Sequence, residues 1–259
     1  MTAMENVANA PEQRGVLWAK ILANCGFYGA LLAAVAAVAA GFGSRGGLWH
    51  FRTGFAILTW AAWGGLAAAV ISLCGSIASL PTRQLRSAGL ALFGVVVGMI
   101  IFTVPFSWRA TARAVPPIHD ISTDLDHPPS FVAIIPLRRD APNPAAYGGN
   151  EVALQQRDAY PDITTVRLSV RPEEAFSRAL AAARDLGWEV VAAVPEEGRI
   201  ESTDTTFWFG FTDDVVIRIT PVADHSLIDI RSVSRVGRSD VGTNARRIRA
   251  FTEKIMTPL

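Results

Sequence analysis

Along the first 108 residues apolar positions run together instead of alternating. Ile21 to Phe42 reads ILANCGFYGALLAAVAAVAAGF without a charge, Thr53 to Leu80 is likewise uncharged, and Ala88 to Trp108 is a third such run. A hydrocarbon core of about 30 Å is crossed by about 20 helical residues, and backbone amides in lipid must be satisfied within their own segment. The three runs therefore predict three transmembrane helices. Trp18, Trp49 and Trp108 stand at run ends, where an indole keeps its ring in apolar surroundings and its N–H wet. The first run is too long for a cleaved leader, and Glu5, Pro11 and Glu12 stand where a leader has a compact basic start.

Beyond residue 161 the pattern shortens. Thr164 to Val170 alternates, with Val166, Leu168 and Val170 on one face, and predicts a strand. Pro172-Glu-Glu opens a helix in which Phe176, Ala179, Leu180 and Ala183 recur at helical spacing, and Gly187 ends it. Strands follow over Trp188 to Val194, Arg199 to Thr205 with an extension at Phe207 to Phe211, Val215 to Ile219, and Ser226 to Val236. Ser239 or Asp240 then caps a last helix striped with Val241, Ala245, Ile248 and Ile255. The expected fold is three transmembrane α-helices followed by an α+β domain, an antiparallel sheet of four to five strands with two helices on one face. The opposite face would present Arg167, Glu189, Glu201, Arg218, Asp229 and Arg231, mixed charges that read as a solvated surface.

Charge sharpens this division. No Asp or Glu occurs between Glu12 and Asp120; residues 1–119 hold 8 Lys and Arg against 2 acids, and residues 120–259 hold 16 against 21. The overall +1 therefore joins a basic membrane half to an acidic water-facing half. An acidic domain argues against nucleic acid as a partner. Arg14, Lys20, Arg83 and Arg86 belong to one side of the bilayer, and Arg45, Arg52, Arg109 and Arg113 to the other. The compact basic turn Pro81 to Arg86 tips the balance toward an N-terminus inside and a C-terminal domain outside.

Eight of the fifteen prolines fall between Arg109 and Pro161, which predicts an extended, partly packed arm with no long helix or central strand. Its run Phe131 to Pro136 is apolar enough to lie along the domain or to form an edge strand. The expected organisation is an N-terminal cytoplasmic segment (1–20), a three-helix membrane domain (21–108), a proline-rich arm (109–161) and an extracytoplasmic α+β domain (162–259).

Candidate chemistry is sparse. No Asp, Glu, Lys, Arg or His lies within the spans, where a transport or proton path would be marked. Gly94 and Gly98 stand four apart in the third, spacing that favours close helix packing. Cys25 and Cys74 lie in the spans, so the outer domain has no thiol. His119, Asp120, Asp124, Asp126 and His127 gather two imidazoles and three carboxylates within nine residues. Their spacing matches no known ligand loop, and a turn accounts for them better than a metal site. Arg231, Arg235, Arg238, Ser239 and Asn244 lie where the last strand turns into the last helix. They could hold a phosphate or carboxylate at a helix N-terminus, or pair with Asp213, Asp214 or Asp240 and fasten a corner. Arg246, Arg247 and Arg249 read as a solvated helix face.

Several strings in order carry a resemblance: Ile118-His-Asp-Ile-Ser-Thr-Asp124, Arg157-Asp-Ala-Tyr-Pro-Asp162, Ala175-Phe176, Gly187-Trp-Glu-Val190, Gly198-Arg-Ile-Glu201, Phe209 to Phe211 with Asp213-Asp-Val-Val216, and Asp229 to Asp240. Residues 115–256 resemble the bacterial family catalogued as domain of unknown function 1499. The resemblance implies an N-terminal set of membrane helices and supplies no catalytic residues. The expected role is accordingly a non-enzymatic protein of the bacterial inner membrane with a periplasmic recognition domain, an accessory or scaffold subunit of a larger membrane complex. Its expected partners are the lipid bilayer and another membrane protein, with no cofactor. The alternatives are a lipid- or anion-binding protein using the arginine corner and, third, an envelope hydrolase.

Overall fold

A computed structural model describes residues 10–257 and divides into two compact units at Ala110 and Thr111. Residues 1–9 of the expected N-terminal segment and the last two residues of the expected domain lie outside the described residues.

The first unit holds helices α1 (Ala10–Arg45), α2 (Phe51–Thr82) and α3 (Leu85–Ala114), the last running slightly past the division. All three are long and apolar enough to cross a membrane. Helical structure begins well before Ile21, so Ala10 to Lys20 extends the first helix. Arg83 ends α2 in the left-handed conformation at φ 51°, which turns the chain sharply into α3. Gly94 and Gly98 are both close-approach points. A Cβ on Gly94 would lie 2.2 Å from Ser72 Oγ on α2 and 3.2 Å from the carbonyl carbon of Gly26 on α1. One on Gly98 would lie 2.4 Å from the Gly65 carbonyl oxygen and 3.0 Å from Ala69 Cβ. The Ser72 hydroxyl could rotate aside, but the neighbours of Gly98 are backbone and a Cβ that cannot. Gly98→Leu is therefore expected to push α3 off α2 at a cost of about 1–3 kcal/mol, seen as a lower thermal midpoint in detergent. Gly89→Leu, at a position where an added Cβ meets open space, should show no loss.

The second unit contains β1 (Asp120–Ser122), α4 (Gly149–Ala159), β2 (Val166–Leu168), α5 (Pro172–Asp185), β3 (Glu189–Val194), β4 (Arg199–Thr205), β5 (Thr212–Val222), β6 (His225–Ser234) and α6 (Thr243–Met256). The sheet is antiparallel in the order β1-β6-β5-β4-β3, and β2 shares the outer edge of β6 with β1. On one face Ile200, Ile217 and Ile230 lie in register across three strands. The apolar stripes of α5 and α6 cover them, with Trp188 stacked on Phe251 at 5.6 Å. Phe207 to Phe211 is not strand but the loop of the β4–β5 hairpin.

The other face corrects the expectation of a solvated surface. Glu201, Asp229 and Arg231 are buried there, at 0%, 4% and 2% exposure; Arg167 and Glu189 alone of the six are exposed. What covers the face is the supposed arm. Phe131 and Ile134 pack on Val216 of β5 and Val233 of β6, so the run 131–136 lies against the sheet as a tight turn leading into the 3-10 segment Ile135–Arg138.

The arm is also more regular than its prolines suggested. It supplies strand β1 and the 11-residue helix α4. The reason is that the prolines cluster: none occurs between Pro144 and Pro161, which leaves room for three helical turns. Gln156 of α4 then closes the free edge of β1, its amide accepting from Ser122 N at 3.0 Å and donating to Ser122 O at 2.6 Å.

Candidate functional site

The polar residues under the arm form one buried lattice with four knots. The first is Arg231, in the middle of β6. Its Nε and Nη2 donate to the two oxygens of Asp120 at 2.9 and 2.7 Å. Nη1 donates to Pro129 O at 3.1 Å and Nη2 to Ala145 O at 2.9 Å. The guanidinium lies 5.3 Å from the ring centroids of both Phe131 and Tyr147, close enough for cation–π attraction. Every one of these partners comes from the arm. Burial, followed by the nearby Asp120 charge, pushes the Tyr147 phenol up to about 12.

The second knot is Glu201 at the centre of β4. Its carboxylate accepts from the successive backbone N–H groups of Val132, Ala133 and Ile134, at 2.9 to 3.1 Å, and pairs with Arg199. Three consecutive amides opening a helical turn form an anion nest, and here the anion is the protein's own.

The third knot is Asp214, held between Arg138 of the arm and Arg235. Arg235 donates through Nε and Nη2 at 2.9 and 2.8 Å. The fourth joins Asp229 to Thr123, Thr165 and Arg218, and Arg218 also reaches Asp124 at 2.8 Å. On the opposite face, at the start of α6, Arg247 donates to Asp204 and Asp213, and Asn244 links Ser232, Ser234 and His119 O. Arg247 is therefore buried and paired, contrary to the expected solvated helix face, because α6 packs that side onto the ends of β4 and β5. Arg249 keeps an exposed pair with Asp162.

The predicted anion corner is thus mostly engaged in holding itself together. Arg231, Arg235 and Asn244 are tied as above, and Ser239 accepts from Val241 N at 3.2 Å. Arg238 alone of the five is exposed, and it pairs with no carboxylate among the described residues.

The predicted metal candidates are dispersed rather than convergent. Asp120 is bound to Arg231, and Asp124 accepts from the N–H groups of Asp126 and His127. Asp126 and His127 are exposed. Among the described residues no three His, Cys, Asp or Glu side chains gather as a metal site requires. Burial works to raise the Asp124 carboxyl, but the His127 amide, Arg218 and the Asp126 amide outweigh it and hold the group below its ordinary value. Asp124 and Asp126 line a cleft of about 350 Å³ that also touches Arg157, Tyr160 and Thr165.

The N-cap of α6 is Gly242 rather than Ser239 or Asp240, but Asp240 lies just ahead of it and accepts from Gly242 N at 2.9 Å and Asn244 N at 2.5 Å. Burial nevertheless raises its carboxyl above the ordinary value, and Asp213 adds to the rise. With a raised folded-state value, stability falls as pH climbs from the unfolded value of 3.8 through the folded one. Asp240→Asn removes the charge but keeps only one of the two accepting oxygens. Its stability should lose this pH dependence, so that any deficit against wild type is largest at low pH and shrinks as pH rises. Urea midpoints of both proteins across that range check the sign.

A family model described as a protein of unknown function (DUF1499) matches residues 120–255, from β1 to the last turn of α6. No curated protein matches the chain.

Proposed function

The chain belongs to the DUF1499 family of proteins of unknown function, so its role rests on its own residues, and we propose that it is a recognition subunit rather than an enzyme. In this reading three spans hold it in the bacterial inner membrane with the N-terminus inside. The sheet domain stands on the periplasmic side as an accessory or scaffold part of a larger complex.

The observation that carries this reading is the buried lattice itself. Groups that could activate a nucleophile or bind a substrate anion are turned inward and tied to one another, from Asp120 with Arg231 to Asp214 with Arg138 and Arg235. Ser232 and Ser234, on the opposite face of the sheet, are bonded to Asn244 rather than to an imidazole. A site prepared for chemistry keeps a reactive group exposed and poised. A rigid fold with an engaged interior instead offers its outer surface.

Large side chains along the spans, among them Trp60 at 77% exposure and Leu32 at 71%, leave apolar helix faces for lipid or for a partner's helices. The basic turn Arg83 to Arg86 supports the inside position of the loop between α2 and α3. The anion-binding alternative is left with Arg238 as its exposed cation.

Purification of the full chain in mild detergent, with light scattering and mass spectrometry, tests the proposal. A second membrane protein in stoichiometric amount is the expected result. A chain that migrates alone but carries phospholipid, lost on Arg238→Ala, would favour the anion-binding alternative; a chain that migrates alone without lipid would overturn both.

A further inference from the structure

Strand register shows which end of the sheet the connection from α3 enters. Asp120 of β1 lies opposite Val233 of β6, and Ser234 N donates to His119 O at 2.9 Å. Ser234 lies opposite Asp213 of β5, which lies opposite Asp204 of β4. His119, Ser234, Asp213 and Asp204 thus form one row across the same end of the sheet. The β4–β5 hairpin loop, Thr206 to Phe211, projects beyond that row. At about 4.8 Å per strand, its base stands about 15 Å from the point where the chain comes in. The corner that carries exposed Arg238 leaves from this end too, since it follows directly on Ser234. The opposite end carries the β5–β6 turn at Ala223 and Asp224.

Between the last residue of α3, Ala114, and the first of β1, Asp120, there are only Val115 to His119, a reach of at most about 20 Å even when extended. Much of that connection is already fixed to the sheet domain: Asp240 N donates to Ile118 O at 3.2 Å, and Ile118 is buried in the core.

The loop is built to present aromatic side chains. Thr206 N donates to Phe211 O at 2.8 Å, Gly210 N to Thr206 O at 3.1 Å, and Phe211 N to the Thr206 hydroxyl at 2.9 Å. Gly210 supplies the positive φ of 70° that the turn requires. Phe209 folds back and stacks on Phe211 at 5.5 Å, while Phe207 is left 77% exposed and Trp208 partly so. The acids that flank the loop do not repel an anionic surface as free carboxylates would. Asp204 and Asp213 are paired with Arg247, and Asp214 with Arg138 and Arg235.

We propose that the Phe207–Trp208 tip of this hairpin inserts into the headgroup–acyl boundary of the bilayer, with Arg238 at the level of the lipid phosphates. The inference rests on the reading that α1 to α3 lie in lipid. Exposed aromatic residues and a cation at one end of a domain are the composition that such a boundary favours. The lipid surface is the occupant because the tether, the tip and the cation all belong to one end of the sheet.

Site-directed fluorescence on the full chain in phosphatidylethanolamine–phosphatidylglycerol vesicles tests this. An environment-sensitive label is placed at Phe207→Cys, or at Asp224→Cys as the opposite-end control, with Cys25 and Cys74 changed to Ala. A third sample keeps Cys74, on α2, as the sole labelled thiol. The expected result is lipid-borne quenching at Cys74 and residue 207, several-fold stronger at 207 than at 224, with iodide quenching strongest at 224. If Cys74 is quenched by lipid but residue 207 only by iodide, or by neither, insertion of the tip is overturned while the membrane reading stands. If Cys74 is not quenched by lipid, both fall together.

Discussion

Arg231→Met is expected to lower the thermal midpoint of the sheet domain by about 10–15 °C, equivalent to about 3–5 kcal/mol. The size comes from what the substitution leaves behind rather than from the pair's own attraction. A buried ion pair is close to neutral against an apolar pair of the same shape, but removing one partner strands the other. Here the stranded groups are Asp120 and the carbonyls of Pro129 and Ala145, all facing the vacated space. Methionine replaces much of the packing volume between Phe131 and Tyr147 but none of the donors. Calorimetry of Arg231→Met, Asp120→Leu and the double variant forms the cycle. The double variant should lie nearer to wild type than either single one, since no charge is then left unpaired. A double variant as unstable as the sum of the singles would mean that the arm is held by something other than this pair. Arg231→Lys should recover little, because one ammonium cannot meet both oxygens of Asp120 in parallel.

Much of this architecture is written in local pattern. The uncharged runs announce three spans, and alternation in Val215 to Ile219 or helical spacing in Phe176 to Ala183 announces the elements of the sheet domain. The corner is half legible too, since Arg235 pairs with Asp214, one of the three carboxylates expected to fasten it. The covered face is where local reading stops. Alternation says only that Glu201, Asp229 and Arg231 point away from the helices; it cannot say whether water or protein meets them. Their partners in the arm lie 67 to 111 residues away, beyond any window of periodicity. One signal did exist in the run Phe131 to Pro136, too apolar for a free tether, yet nothing in it indicates that its amides would bind a carboxylate. Helix α4 escaped because it has few apolar positions, Val152 and Ala153 among them, and its chief buried polar residue is a glutamine. Prolines counted over the whole segment hid the gap in which it forms. The same physics limits the reading of the site. Buried charges look like functional charges in a sequence, and only the tertiary partner tells them apart.

Glu201 provides the second strong test, because it links the centre of the sheet to the backbone of the arm. Glu201→Ala removes the group that satisfies the amides of Val132, Ala133 and Ile134 and leaves Arg199 with Glu197 as its carboxylate partner. An unmade buried hydrogen bond costs about 1–3 kcal/mol, but solvent can reach part of a loosened arm, so the expected loss is about 3–5 kcal/mol. Glu201→Gln keeps the shape and one acceptor while turning an NH₂ toward donors, and should fall between the two. The loss should be local. Amides 132–134 are expected to exchange with solvent far faster, and trypsin to cut at Arg138 or Arg139, while the core around Trp188 and Phe251 stays protected. That pattern separates two accounts of the arm. If burial of Phe131 and Ile134 against Val216 and Val233 suffices, Glu201→Ala will lower stability yet leave the arm protected. If the carboxylate is the latch, the arm will open first, and the face of the sheet that it covers will become accessible in an otherwise folded domain.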